Sequence, residues 1–558
     1  MNLQKVALTP ISLLVRSHLS SAVKTYLAAP AKSTVVCTQT DSEMQDVQAA
    51  LSTMDQKLDE IVSEENPLRT ARTYLTTVRN SSTTLIPFRS LPPEILSKIF
   101  LTLNRSDSSR IGRVPNAHLV AAVSSYWRQV AINEPRLWTD VNIKTSQIDC
   151  DHALALVGRS KHLPLRMYFF EPVERAGSDV WQGERHDKAK VFLEQIMPRV
   201  ESLELDSHSC STDILNMVLG EWIQRGSIAP GKKLCIRRLG AHLPPGPISH
   251  EWEIILDSFD HAESVLLSVT HLQLEQYLIP WNSKAYENLL DLQLLFHPDS
   301  QVQILVGQMA KVFSASPRLK TLKIAGLEIR NPGNSTLPMP SPLNDLDVLV
   351  LCDMLGESWT FLARLISLAA CTGTLKICIE YFTHESLFSI VSLFINRAVK
   401  TMILSHYQSS AATPRFFSPI LRLVPSLDTL VLAHCDYSQT LGVPAEAYQI
   451  LDVISEMAKP RHDLQNLYLF SVRIDRTELK HIVSALGVRN LHFGYSESPS
   501  GETQLDSDPS SLKAELLEEF PSLVCRDDEN FWERPEWQWR YYSNRRVRTW
   551  NFGLVQTG

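Results

Sequence analysis

Residues 91–103 read LPPEILSKIFLTL and, after a polar insert, residues 119–138 read LVAAVSSYWRQVAINEPRLW. Pro92 and Pro93 suit an opening helical turn whose amides need no partner, and Glu94 complements the positive end of that helix. Ile95, Leu96, Ile99, Phe100 and Leu103 recur at helical spacing and share one face. Asn116, after Pro115, reads as the N-cap of a second helix. Leu119, Val123, Tyr126, Trp127 and Val130 then fall on one face until Asn133-Glu134-Pro135 stops the helix, and Trp138 closes the unit. A unit this small cannot bury so much apolar side chain against itself, so part of its surface is expected to need a partner.

The combination of LPPEIL and IF, then Val123 and Trp127, then PRLW, resembles the F-box, most closely that of the F-box proteins abundant in mushroom-forming fungi. Where that family often has a cysteine, this chain has Ser124, and its insert from Asn104 to Pro115 is longer and more polar. The resemblance implies docking to the small adaptor subunit of SCF ubiquitin ligases and, through it, to cullin. By position, Leu91, Pro92, Pro93, Ile95, Leu96, Ile99, Phe100, Val123 and Trp127 would build the adaptor interface and the core behind it. Leu91, Pro92 and Ile95 are assigned to the interface, and Trp127 and Trp138 to the core.

The 558 residues leave room for several domains, and 44% apolar residues suffice for large cores. Net charge is −7, which gives no global signal for nucleic acid, and no apolar run is long enough to cross a membrane. Nine cysteines without regular spacing point to a reduced setting, cytoplasmic or nuclear.

Residues 1–40 carry Lys5, Arg16, Lys24 and Lys32 but no acid before Asp41, and are expected to form a disordered leader; the composition also fits a targeting segment interrupted by Pro10 and Pro30. Met44, Val47, Leu51, Met54, Leu58 and Ile61 follow a short heptad seam, and Leu68, Ala71, Leu75 and Val78 continue on a second helix. A helical hairpin over 41–86 is the preferred reading, with dimerisation through the seam as the alternative. The F-box then occupies 87–145.

Beyond Trp138 the texture changes to strands separated by helices. Val141 with Ile143 and Leu165 with Met167 and Phe169 read as strands, and Ala153–Val157 as a helix. The pattern apolar-x-x-apolar-x-apolar then recurs as VESLEL ending at Leu205, VTHLQL at Leu274, LKTLKI at Ile324, LDVLVL at Leu351, VKTMIL at Leu404, LDTLVL at Leu432, LQNLYL at Leu469 and VRNLHF at Phe493. Leu322, Leu349, Leu375, Met402 and Leu430 lie 27, 26, 27 and 28 residues apart. Helical patterns at Phe361–Ala369, Leu387–Ile395 and Ile450–Met457 fill some of the gaps. A strand plus a helix at this period resembles the leucine-rich repeat. The ladder position that the repeat gives to Asn or Cys is Cys435 once but Leu327, Met354 and Val472 elsewhere. The expected fold is therefore α/β: an N-terminal helical F-box region followed by an irregular leucine-rich-repeat solenoid over 146–500.

The remainder, 501–558, carries a helix at Leu512–Glu519 and then Trp532, Trp537, Trp539 and Trp550 interleaved with Arg534, Arg540, Arg545, Arg546 and Arg548. Such a tail can stack on nucleic-acid bases, but a cap over the end of the solenoid is the preferred reading. No catalytic residues, metal ligands or cofactor are expected. Gly226–Lys233 reads GSIAPGKK, close to a phosphate loop, yet Lys233 replaces the required Ser or Thr and Leu234-Cys235-Ile236 reads as strand where the motif needs helix.

These readings converge on a non-catalytic substrate receptor that docks the adaptor through the F-box and an unknown client protein through its strands. Lys320, Lys323, Asp347, Asp428, Gln465 and Tyr468, with Thr321, Val348 and Thr429, are expected to face solvent and contact the client. No membrane or nucleic-acid partner is expected. The alternatives are a repeat scaffold outside any ligase and a nucleic-acid-associated regulator working through the tail.

Overall fold

The computed structural model describes residues 67–74, 91–106, 116–144, 150–170, 184–207, 212–238, 259–297, 302–333, 338–354, 357–367, 375–380, 399–405, 424, 426–433, 464–470, 479–480, 483–484, 486–494 and 509–527, with scattered positions between 49 and 63. The chain divides into two compact units, Met1–Pro92 and Pro93–Gly558. In the first, residues 67–74 are helical and exposed, and Leu68 and Ala71 of the second expected helix fall there. The heptad-seam residues, Leu75 and Val78 lie outside the described residues, as do residues 1–40 and the Trp/Arg tail beyond Asp527.

The second unit opens with helices α1 (Pro93–Ser106), α2 (Asn116–Val123) and α3 (Ser125–Asn133) and a 3-10 turn, Pro135–Trp138. The single helix expected after Pro115 is thus two. Ser124 takes extended backbone angles, φ −157° and ψ 164°, and its hydroxyl accepts the Trp127 N–H at 3.2 Å, capping α3. A serine side chain offers the backbone this alternative to a continued helix, and the cap contributes about 1 kcal/mol. The Arg128 guanidinium donates to the Ala121 carbonyl at 3.0 Å, satisfying one of the carbonyls released at the end of α2.

Strands and helices then alternate. The strands are β1 (Asp140–Lys144), β2 (Leu165–Phe170), β3 (Val200–Ser207), β4 (Lys232–Arg238), β5 (Val269–Glu275), β6 (Asp291–Leu295), β7 (Val302–Leu305), β8 (Thr321–Ala325) and β9 (Leu327–Arg330). They continue as β10 (Ser341–Pro342), β11 (Val348–Cys352), β12 (Ile366–Ser367), β13 (Leu375–Glu380), β14 (Val399–Ser405), β15 (Thr429–Ala433), β16 (Asn466–Phe470), β17 (Asn490–Gly494) and β18 (Val524–Asp527). The described helices among them are α4 (Cys150–Arg159), α5 (Glu184–Ile196), α6 (Thr212–Arg225), α7 (Phe259–Leu267), α8 (Val306–Ala315), α9 (Ser358–Leu365) and α10 (Pro509–Glu519).

Among the described residues, fourteen strands form one sheet in which every neighbouring pair is parallel and spatial order follows chain order; β7 with β9 and β10 with β12 form two small parallel pairs. Each sequence segment with the recurring apolar pattern lies on a strand of the large sheet. Leu322 aligns with Leu349, but the residue in register with Leu349 and Met402 is Ile377, not Leu375. Leu375 lies two residues before that position, and a register shift between Leu375 and Lys376 pairs it with Val399. The helix expected at Phe361–Ala369 begins earlier, at Ser358, and gives way to β12; the helices expected at 387–395 and 450–457 lie outside the described residues.

One face of the sheet shares a continuous core with the helices: Leu203, Leu272, Leu322, Leu349, Met402, Leu430 and Leu467 pack with Phe192, Trp222, Val265, Phe313 and Leu362. The other face changes chemistry along its length. Toward the N-terminal end, the Tyr168 hydroxyl donates to Asp206 at 2.6 Å, Arg237 meets Asp206 at 2.5 Å, and Lys233 meets Glu204 at 3.0 Å. From β11 onward it carries a separate buried apolar cluster, Val350, Cys378, Ile403, Val431 and Phe470, beside polar rows.

Three strands end alike: Gln276 after β5, Gly326 after β8 and Asp353 after β11 all have positive φ and turn the chain off the sheet. Each still donates its N–H to the next strand, at 2.9, 3.1 and 3.2 Å. Glycine is required at 326, where a β-carbon would stand 2.2 Å from the Phe296 carbonyl oxygen.

Lys232 opens β4 only 1% exposed, its ammonium 3.2 Å from the Val200 carbonyl oxygen and 4.9 Å from the centre of the Trp222 ring. Burial pushes its pKa down to about 8, so the charged form costs stability at neutral pH. That cost fades as pH rises from the folded pKa toward the unfolded one. Lys232→Met is therefore expected to raise unfolding free energy by about 1–3 kcal/mol near pH 7, with a smaller gain above pH ~9, in denaturant titrations.

Candidate functional site

The N-terminal helices of the second unit present two kinds of apolar row. On α1, Leu96 and Phe100 are fully buried, whereas Ile95, 42% exposed, Ile99 and Leu103 lie one turn apart on the solvent side. On α2, Ala117 and Val120 face inward, while Leu119 and Val123, 55% and 54% exposed, face out. The break at Ser124 separates Leu119 and Val123 from the buried Val130 on α3, so the single apolar face expected over Leu119–Val130 does not form.

Trp127 is half-buried, its ring 5.0 Å from that of Phe100. Trp138 is the core residue of the pair, 2% exposed, with its indole N–H donating to the Ala131 carbonyl at 2.7 Å. The turn that delivers it is fixed by Glu134, whose carboxylate accepts two guanidinium bonds from Arg136, each 2.8 Å, and the Arg136 backbone N–H at 3.3 Å. These bonds to Arg136 hold the Glu134 carboxyl below the usual range. Leu91, half-buried, and Pro92 and Pro93, exposed, lead directly into α1.

Asn104 on α1 donates to Asp140 on β1 at 3.2 Å, and Arg166 on β2 donates to the same carboxylate at 2.9 Å. These contacts join the helices to the first strands of the sheet.

The expected client-contact positions separate. Lys320 and Asp347 are exposed, Gln465 is partly exposed, and Asp428 pairs loosely with Lys400 at 3.6 Å. Lys323 and Tyr468 correct the expectation, being only 7% and 9% exposed. Both sit in the middle of their strands, where neighbouring strands crowd them: Lys323 aligns with Gln293 and Val350, and Tyr468 stacks on His492 at 4.1 Å between ring centres. A different row links strands through side chains. Asn490 donates to Asn466 at 3.2 Å and Asn466 to Thr429 at 3.4 Å.

Ile132, 40% exposed, and Leu103 are apolar surface positions that the motif did not assign. The four-residue step from Ile99 was the signal for Leu103; nothing local marked Ile132. Among the described residues no group of three or more His, Cys, Asp or Glu is placed to hold a metal ion, and no helix is long and apolar enough to cross a membrane. The GSIAPGKK segment leads into β4, so no helix N-terminus faces a phosphate there.

Three short helices are closed by a buried tryptophan, with apolar side chains turned outward as well as inward. Compared with models of protein families, residues 88–144 match the family described as F-box-like. F-box domains typically dock an adaptor rather than catalyse a reaction. No curated protein matches the chain.

Proposed function

We propose that this chain is the substrate-recognition subunit of an SCF-type cullin–RING ubiquitin ligase, with residues 87–145 docking the adaptor subunit. The observation that carries the reading is the outward row Ile95, Ile99 and Leu103, on the helix whose other side, Leu96 and Phe100, is completely buried. A helix saturated with apolar residues on both sides is a helix expecting a second surface. Leu91, Pro92, Pro93 and Val123 complete the proposed interface, with Trp127 supporting it from behind.

In this reading residues 146–500 form an irregular leucine-rich-repeat solenoid that presents its strand side to a client protein, with Lys320, Asp347, Asp428 and Gln465 among the contacts, and residues 501–558 cap its far end. The parallel strands in chain order support it, as does the spacing of 25–28 residues between the aligned positions Leu322, Leu349, Ile377, Met402 and Leu430. The chain supplies no catalytic group; it raises the effective concentration of client lysines near the charged conjugating enzyme. The setting is the cytoplasm or nucleus.

The test is co-purification of the full chain with the adaptor subunit beside a form lacking residues 87–145. Equimolar recovery lost on deletion is expected. Failure of the intact, folded chain to bind would leave a repeat scaffold outside any ligase as the better account.

A further inference from the structure

The joint between the F-box-like helices and the sheet contains a group of cationic and aromatic side chains that adaptor docking does not use. His118, on α2, meets the edge of Trp138 at 5.5 Å and 87°, and its other neighbour is the His152 ring of α4, stacked at 5.5 Å and 25°. Arg159, on the same helix as His152, lies over Trp138 at 4.6 Å. The packing joins three elements: α2 of the docking module, the 3-10 turn, and the first helix that covers the sheet.

The charges around it are one-sided. Burial between the rings opposes a proton on His118 most, and the nearby His152 and Arg159 oppose it too. The carboxylates at the start of the turn and on β1 are engaged elsewhere: Glu134 holds Arg136, and Asp140 holds Arg166 and Asn104. Neutral His118 fits this box; the imidazolium would sit beside Arg159 and a second histidine, half-withdrawn from water.

We propose that the packing of His118 between Trp138 and His152 is an acid-sensitive latch that holds the docking helices to the sheet when His118 is neutral and loosens when it is protonated. The sign follows from linkage. The folded pKa lies below the unfolded value of 6.5, so the stabilisation is fully present above the unfolded pKa and is lost as pH falls through the folded one. The latch would make the spacing between docking module and sheet firm at neutral pH and compliant under acidification. It stands independently of which partner the module docks.

Hydrogen exchange on the full chain at pH about 7.5 and about 5.5, corrected for the intrinsic pH dependence of exchange, tests the latch. Several-fold faster exchange at acid pH is expected in α2, the 135–138 turn and α4, with β8 and β11 unchanged. His118→Phe keeps a ring in the box and is expected to remove the pH difference. His152→Gln, at an exposed position, is expected to shrink it and provides a second reading if the first variant folds poorly. Equal corrected exchange in the native chain at both pH values would overturn the proposal, as would an undiminished difference in the folded variants.

Discussion

Trp138→Ala is expected to cost about 3–5 kcal/mol of folding stability, among the largest losses of any single truncation in the F-box-like helices and their closing turn. The indole is 2% exposed and its N–H is satisfied by the Ala131 carbonyl. Removing it leaves that carbonyl with the Glu134 N–H as its remaining donor and opens a cavity bordered by His118 and Arg159, which lose an aromatic neighbour. The loss should appear as a lower denaturation midpoint with protection falling first in α2, α3 and α4. Trp127→Ala provides the contrast. Trp127 is half-buried, its ring against that of Phe100, so its truncation is expected to cost distinctly less. Equal losses for the two would mean that the core of the module is not centred on Trp138.

The second large effect is on binding. Ile95→Asp with Ile99→Asp is expected to leave the melting transition close to native while weakening adaptor affinity by about 100-fold or more. Both side chains point away from the buried Leu96 and Phe100 and make up one solvent-facing row. Exposed substitutions away from core features shift stability by about 0.5 kcal/mol or less each. Apolar anchors at the centre of an interface commonly contribute about 2 kcal/mol or more apiece, and about 1.4 kcal/mol is a tenfold change in affinity. Titration calorimetry against the purified adaptor subunit, with circular dichroism melts of the same preparations, separates the two effects. Native-like affinity in the doubly charged variant would remove α1 from the interface.

The F-box-like helices were legible because their information is local. Prolines open α1, apolar residues step by three and four, and Glu134-Pro135 ends the run, all within a few turns of chain. Strand positions were legible for a related reason: each segment carries the pattern apolar-x-x-apolar-x-apolar within itself, although the aligned residues lie as close as 20 apart (Leu272 to Leu292) and as far as 38 (Leu234 to Leu272). Three features were not. Ser124 could continue a helix or cap a new one, and its extended backbone decides between them only when Trp127 and Arg128 come into place. The shift at Leu375 depends on which residue of β13 meets Met402, a relation between strands that periodicity averages away. Burial of Lys323 and Tyr468 is likewise a property of neighbours. Alternation places both on the face away from the leucines, and that face was expected to be wet; crowding by adjacent strands makes its middle row nearly as inaccessible as the core.

Because spatial order in the large sheet follows chain order, each strand is hydrogen-bonded only to its predecessor and its successor. A stretch of chain carrying one strand and its return can therefore be duplicated or lost with re-pairing confined to the two strands beside it, and each such event moves everything beyond it by one strand spacing, about 4.8 Å. The sheet is in this sense a graduated ruler whose zero mark is β1, tied by Asp140 to α1. Events of that kind change the distance between α1 and a distant strand in whole steps, leaving both ends chemically unchanged.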